Sequence, residues 1–170
     1  MHKTEQKTVL LRILFVVGSF LFFAVLLVGD QLSKYLAVKH LKIEPPLGFL
    51  NDWFELYYLE NHGAAWGILT GKTMFLIVIT SIVLLVIFII YFRLPAGRKH
   101  HLMRLSLLLI ASGAVGNLLD RILYQYVIDF LYVKVIDFPV FNVADIYVTI
   151  GAFLFAVIVL FAKEEEGEMP

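Results

Sequence analysis

The chain has 170 residues, 61% of them hydrophobic and only 16% charged; 14 Lys and Arg balance 14 Asp and Glu, and there is no cysteine. This excludes a disordered chain, which needs low hydrophobicity and high net charge, and offers no global basic field for nucleic acid. It also removes disulfides, thiolate metal sites and thiol nucleophiles. The composition is that of a small polytopic membrane protein.

A transmembrane helix needs about 20 mainly apolar residues. Residues 13–29 carry no charge and run into Asp30 and Lys34, which predicts a first span over 13–36. The basic lead-in (Lys3, Lys7, Arg12) resembles a signal peptide. No A-x-A-like site follows, however, and Asp30 and Lys34 continue the helical pattern, so the segment reads as a retained span. Residues 40–72 form a longer connection. Its aromatic stretch 49–59 (FLNDWFELYYL) predicts a strand or hairpin, and 63–69 (GAAWGIL) predicts a half-helix lying on the membrane. Trp53, Tyr57, Tyr58 and Trp66 suit a membrane–water interface. Residues 73–92 are twenty without a charge and predict the second span; a short basic connection, 93–104, leads to the third at 102–120. A connection over 121–143 precedes the fourth span at 144–162. The expectation is an all-α membrane protein in one integral membrane domain over 1–170, with four transmembrane helices, a small extracytoplasmic β cradle and an interfacial half-helix.

Orientation follows Lys and Arg density near span ends. The N-terminal tail and the second connection (Arg93, Arg98, Lys99, Arg104) are basic, whereas the first connection mixes Lys42 and Lys72 with Glu44, Asp52, Glu55 and Glu60. Both termini are therefore expected in the cytoplasm, and the first and third connections outside. The acidic tail at 164–168 does not oppose this, because acids weigh little in the rule.

Ionisable groups at membrane depth cost roughly 2.5–3.5 kcal/mol each on insertion scales and are functional candidates by default. Asp30 and Lys34 end the first span, Asn117, Asp120 and Arg121 end the third, and Asp145 begins the fourth, so all gather at one membrane face with Asp129 between them. Asp30 and Lys34 are spaced i,i+4 and can pair. Gly113 and Gly116 allow close helix approach, and Asn142 with Asp145 three residues later reads as a helix cap. Singly, each has a plain structural role: an interfacial ion pair, a helix lock at Asp120–Arg121, a dipole-favouring acid at Asp145. Their gathering at one face is what points to function.

Serine chemistry lacks its motif, since Ile110 stands where a rhomboid-type glycine would be, and there is no H-E-x-x-H for zinc. Leu27 replaces the first glycine of a presenilin-like Gly-x-Gly-Asp. Paired aspartates remain. Two close carboxyls share a proton, so one can activate water while the other protonates the carbonyl oxygen or leaving amine. Such chemistry needs no cofactor, no metal and no covalent intermediate.

Several segments resemble one known family. Asp30-Gln-Leu-Ser-Lys34 is similar to its D-x-x-[ST]-K, Asn61-His-Gly-Ala-Ala65 to N-x-G-A-A, and Gly113-Ala-Val-Gly-Asn117-Leu-Leu-Asp120-Arg121 to G-x-x-G-N-x-x-D-R. Val127-Ile-Asp129-Phe130 and Phe141-Asn142-Val-Ala-Asp145 resemble V-[IV]-D-F and F-N-x-A-D. The family is lipoprotein signal peptidase, the bacterial type II signal peptidase, and the motifs follow its order from about residue 28 to 151. The resemblance implies an intramembrane aspartyl endopeptidase of the bacterial inner membrane. It would cut diacylglyceryl-modified prolipoproteins just before the lipidated cysteine, with membrane lipids around it and the site at the outer face. It further implies Asp129 and Asp145 as catalytic residues, with Asn61, Gly113, Asn117, Asp120, Arg121, Asn142 and Ala144 shaping the pocket. Asp30 and Lys34 would hold the first helix against it, and the cradle and half-helix would clamp the substrate. Four helices and a cradle suffice for a monomer, and no nucleic acid partner is implied.

The tetrapeptide Val-Ile-Asp-Phe recurs at 135–138, making Asp137 a rival to Asp129. Motif order favours Asp129, although its 16-residue distance from Asp145 is short for the family. A small transporter or assembly subunit could use the same aspartates. A transport path, however, places polar groups through the midplane, and the second span offers only Thr73, Thr80 and Ser81.

Overall fold

The computed structural model describes residues 2–49, 53–95 and 97–161. The element order is α1 (His2–Leu41), β1 (Leu47–Phe49), β2 (Phe54–Asn61), a 3₁₀ turn (Ala65–Gly67), α2 (Thr73–Arg93) and α3 (Arg98–Tyr124), then β3 (Val127–Val133), a second 3₁₀ turn (Lys134–Ile136), β4 (Phe138–Phe141) and α4 (Val143–Phe161). The four uncharged runs thus become four helices, each long and apolar enough to cross a membrane. At ~1.5 Å per residue α1 is ~60 Å long, about twice the hydrocarbon thickness of a bilayer. Both α1 and α3 run past their predicted ends. Asp52, Ala162 and the acidic tail at 164–168 lie outside the described residues.

Helix α3 packs against each of the other three helices, most extensively α4. Glycine makes this possible. A Cβ at Gly113 would run into the carbonyl oxygen of Ala144 and meet Val148 Cγ2 at 2.8 Å; one at Gly116 would collide with the Asp30 carboxylate. Gly151 answers from α4, where a Cβ would lie 2.7 Å from the Ser106 carbonyl oxygen. Helices in lipid gain no hydrophobic drive by meeting one another, so close backbone contact through small residues carries the association. Accordingly the buried hydrophobic set is small, and large apolar side chains stay exposed along α1, α2 and α4, Phe20, Val25, Phe88 and Leu160 among them. At the end of the bundle away from the sheet, Arg104 donates to the carbonyls of Tyr91, Leu94 and Pro95, closing the turn between α2 and α3.

The four strands form one antiparallel sheet in the order β1-β2-β3-β4. Ile128 and Phe130 of β3 pack with Ala37 and Leu41 of α1, which seats the sheet on the end of the first helix. The expected strand in the first connection is therefore one half of a sheet, and the third connection supplies the other half. The predicted half-helix is replaced by the single turn Ala65–Gly67. Trp66 (φ 56°), Gly67 (φ 69°), Leu69 (φ 61°) and Gly71 (φ 77°) are left-handed, which no right-handed helix accommodates.

Gly113→Ala is expected to lower stability by about 1–3 kcal/mol through overpacking. Gly18→Ala, where an added methyl meets nothing within 4 Å, should leave it unchanged; thermal unfolding in detergent compares the two, and equal midpoints would overturn the close-packing account.

Candidate active site

The site is built around a buried cation. Lys34, 1% exposed, places Nζ 3.0 Å from Asp30 Oδ2 and 2.8 Å from Asp120 Oδ2, and donates to Asn117 Oδ1 at 2.9 Å. Asp30 and Asp120 are fully buried. Gln31 donates from Nε2 to both, at 3.1 Å to Asp30 Oδ2 and 3.1 Å to Asp120 Oδ1. The remaining contacts of the two acids reach backbone: Asp30 Oδ1 accepts from the Ala144 N–H at 3.0 Å, and Asp120 Oδ2 from the Ile128 N–H at 3.2 Å. Ala144 precedes Asp145 and Ile128 precedes Asp129. The ion triad thus holds the backbone immediately before each aspartate of the predicted pair.

Two asparagines carry the arrangement onward. Asn117 Nδ2 donates to Asp145 Oδ1 at 2.8 Å. Asn142 caps α4 as predicted: its Oδ1 accepts from the Asp145 N–H at 3.0 Å, and its own N–H donates to Asp145 Oδ2 at 3.0 Å. This reciprocal box satisfies two otherwise orphaned donors at the helix start. Asn142 Nδ2 donates to Asp129 Oδ1 at 2.7 Å, with longer contacts to Asn117 Oδ1 and the Ile128 carbonyl. One side chain therefore touches both aspartates.

The second donor to Asp129 comes from β2, where Asn61 Nδ2 reaches Asp129 Oδ2 at 2.8 Å. A bulge decides this contact. Leu56 pairs with Leu131, but Leu59 pairs with Asp129 and Asn61 with Val127, so β2 gains one residue between Leu56 and Leu59. Side chains alternate faces along a strand, and a one-residue slip reverses them. Without the bulge Asn61 would sit on the face opposite Asp129. Asn61 Oδ1 accepts the Gly63 N–H at 2.9 Å, and Arg121 donates to the Gly63 carbonyl at 3.1 Å, tying the following turn to α3.

Asp129 and Asp145 line one cavity of about 530 Å³ together with Asn61, Asn117 and Arg121; Trp66 stands beside them, and Ile146, Val148 and Ile150 of α4 supply apolar wall. Burial first, and then the Asp145 carboxylate, push Asp129 up to about 7, against the opposing hydrogen bonds from Asn61 and Asn142 and the charge on Lys34. A carboxyl that titrates near neutrality beside a second carboxyl in a cleft is equipped for acid–base work. Among the described residues no group of three or more His, Asp or Glu is arranged to hold a metal ion.

The other predicted site residues sort clearly. Gly113 and Ala144 set the α3–α4 approach and do not line the cavity; Asp30, Lys34 and Asp120 lie behind it. Asp137, the rival to Asp129, sits exposed at the end of the second 3₁₀ turn with φ 49° and accepts the Tyr132 hydroxyl at 2.6 Å, away from the cavity. Sequence reasoning missed Gln31 and Gly63. Gln31 neighbours Asp30 within the first motif and Gly63 lies within the second, so the motifs contained the signal without its role.

A family model described as signal peptidase (SPase) II matches residues 22–161. The chain belongs to the signal peptidase II family. The "Lipoprotein signal peptidase" of Clostridium tetani is 40% identical over 141 residues, covering 81% of this chain and 87% of that one. Its namesake in Clostridium acetobutylicum is 41% identical over 152 residues, 86% of this chain and 96% of that one. A solved structure titled as a bacterial membrane enzyme, determined in meso at 2.3 Å, superposes with a TM-score of 0.78 at 32% identity, covering 92% of this chain and 95% of the other. Family membership and four apolar helices make this a multi-pass bacterial membrane protein, and every residue of the site lies within the signal peptidase II match.

Lys34→Met would leave Asp30 and Asp120 buried without their cation. Breaking a buried ion pair from one side costs about 3–5 kcal/mol, so the variant is expected to lose most of its folded fraction in a detergent unfolding assay. Lys42→Met, at a half-exposed ion pair with Glu60, should unfold like wild type.

Proposed function

We propose that this protein is a prolipoprotein-processing aspartic endopeptidase, with Asp129 and Asp145 as its catalytic pair. One observation carries the reading: two carboxyls, delivered by a strand and a helix, line one cavity, and Asn142 donates to both, from Nδ2 to Asp129 and from its backbone N–H to Asp145. The name its relatives carry, lipoprotein signal peptidase, supports lipoprotein precursors as the substrate class; the motif resemblance adds that these are diacylglyceryl-modified and cut just before the lipidated cysteine. The basic second connection supports cytoplasmic termini and a site at the outer membrane face.

The chemistry follows from the geometry. Asp129, titrating near neutrality, holds the shared proton. Asp145, fixed by the Asn117 amide and the Asn142 N–H, takes a proton from water. The water oxygen bonds to the scissile carbonyl carbon while Asp129 protonates the carbonyl oxygen. As the tetrahedral diol collapses, one of its hydroxyls returns a proton to Asp129, the C–N bond breaks, and the proton held by Asp145 passes to the departing cysteine nitrogen, which restores the starting pair. The apolar wall of α4 receives the acyl chains or signal peptide. A diacylated substrate is anchored strongly, at ~0.8 kcal/mol per buried CH₂, so recognition rests on lipid and small residues near the cut. The cavity walls and Lys34-centred support are complete within one chain, which favours a working monomer.

Asp129→Asn and Asp145→Asn are each expected to lower cleavage by about 10³-fold, within the range for general acid–base groups, at unchanged thermal stability. Asp137→Asn should stay within about twofold of wild type. A gel-shift assay in detergent with a diacylglyceryl-modified prolipoprotein tests all three, and full cleavage by the first two would sink the proposal. The rate has its own signature. Activity needs the proton on Asp129, so kcat/KM should fall as pH rises through about 7. Asn61 donates to the ionised form and holds the value down; Asn61→Ala should therefore move the alkaline limb to higher pH. A shift the other way would remove Asp129 as the acid.

A further inference from the structure

Six polar side chains line the cavity: Asn61, Asn117, Arg121, Asp129, Asp145 and Thr149. Five are held by the protein itself. Asn61 and Asn142 grip Asp129, Asn117 grips Asp145, and Arg121 binds the Gly63 carbonyl. Thr149 makes no side-chain hydrogen bond among the described residues, and it is exposed to the cavity. This is unusual here. The hydroxyls of Ser19, Ser33, Ser81, Ser106 and Ser112 all fold back onto a carbonyl of their own helix, at 2.6–2.9 Å. Thr80 shares the freedom of Thr149 but lies on α2, outside the cavity.

Position gives that hydroxyl a purpose. Thr149 is one turn after Asp145 on α4, so the two project from the same helix face about 6 Å apart along the axis. Its neighbours in the wall, Ile146, Val148 and Ile150, offer no hydrogen bond. A signal peptide enters with its helix spanning the membrane and its scissile bond beside the two aspartates, which places the residues before the cut at the level of Thr149. On the peptidase reading those residues close the peptide's membrane-spanning segment, where a helix would end. The last four carbonyls of any helix lack an intrahelical partner, and an unsatisfied backbone group at membrane depth costs several kcal/mol.

We infer that Thr149 is a substrate-binding residue: its hydroxyl donates to a backbone carbonyl of the signal peptide on the N-terminal side of the cut. The inference rests on the peptidase reading above and adds to it a sequence-independent contact with the peptide backbone, in a wall otherwise suited to hydrocarbon.

The test uses the purified full-length protein in detergent with a diacylglyceryl-modified prolipoprotein, resolving kcat and KM. Thr149→Val keeps the shape and removes the donor. It should raise KM by about tenfold, the scale of one net hydrogen bond, with kcat within about twofold, as for an interaction present before and during the reaction. Thr149→Ser restores the hydroxyl and should restore KM. Both variants should unfold at the wild-type temperature, because the side chain is exposed and makes no hydrogen bond within the fold. A wild-type KM in Thr149→Val, or a Thr149→Ser variant as impaired as Thr149→Val, overturns the inference. Asp145→Asn run beside them separates the two levels. If it is inactive while Thr149→Val behaves as wild type, only the role of Thr149 falls; if it still cleaves, the catalytic assignment falls as well.

Discussion

One lysine between two acids is the constraint on which the rest of this structure depends. Three charges out of water are tolerable only when every lone pair and proton is used. Lys34 spends its protons on Asp30, Asp120 and Asn117, and the acids complete their shells with Gln31 and with the backbone N–H groups of Ala144 and Ile128. Because those two N–H groups sit directly before Asp145 and Asp129, electrostatic satisfaction and site geometry are the same requirement. The first helix contributes no group to the cavity, yet it determines where α4 and β3 must begin.

The network also explains how so apolar a chain acquires a unique arrangement. Between helices in lipid, burying another leucine gains little, because the surrounding acyl chains are equally apolar. Few hydrophobic residues are buried among the described ones, and the cluster they form, Ala37, Leu41, Ile128 and Phe130, sits where the sheet meets α1. Register between α1, α3 and α4 is instead specified by groups that fit in one way only: glycines 113, 116 and 151, where a methyl group has no room, and the polar residues that interlock beside them. No buried side-chain nitrogen or oxygen among the described residues lacks a partner.

Much of this was legible in the sequence. Uncharged runs located the helices, five ordered motifs held the polar residues that the structure gathers, and the Asn142–Asp145 spacing announced a cap that the structure contains. What was hidden depends on pairing between distant segments. Val127–Val133 has the β-branched and aromatic composition of a strand, but only its partner β2, more than sixty residues earlier, makes it one. The bulge that turns Asn61 toward Asp129 leaves no mark in local composition. Two identical tetrapeptides, 127–130 and 135–138, illustrate the limit: one becomes a central strand, whose Ile128 N–H is held by Asp120 of α3, and the other spans a hairpin tip and joins the sheet only at Phe138. The half-helix read into 63–69 is cut short to the 3₁₀ turn Ala65–Gly67, because Trp66, Gly67, Leu69 and Gly71 are left-handed.

The chain order of this network has a consequence for biosynthesis. Asp30 and Lys34 emerge early from the ribosome, whereas Ala144 and Asn142 are among the last groups to enter the bilayer. Until the final helix arrives, Asp30 lacks its backbone donor and Asp129, though already bound by Asn61, lacks the Asn142 amide. A nascent chain with three helices inserted therefore has Asp129 without Asp145 beside it, and the cavity the two carboxyls line is completed only by the last helix to be made.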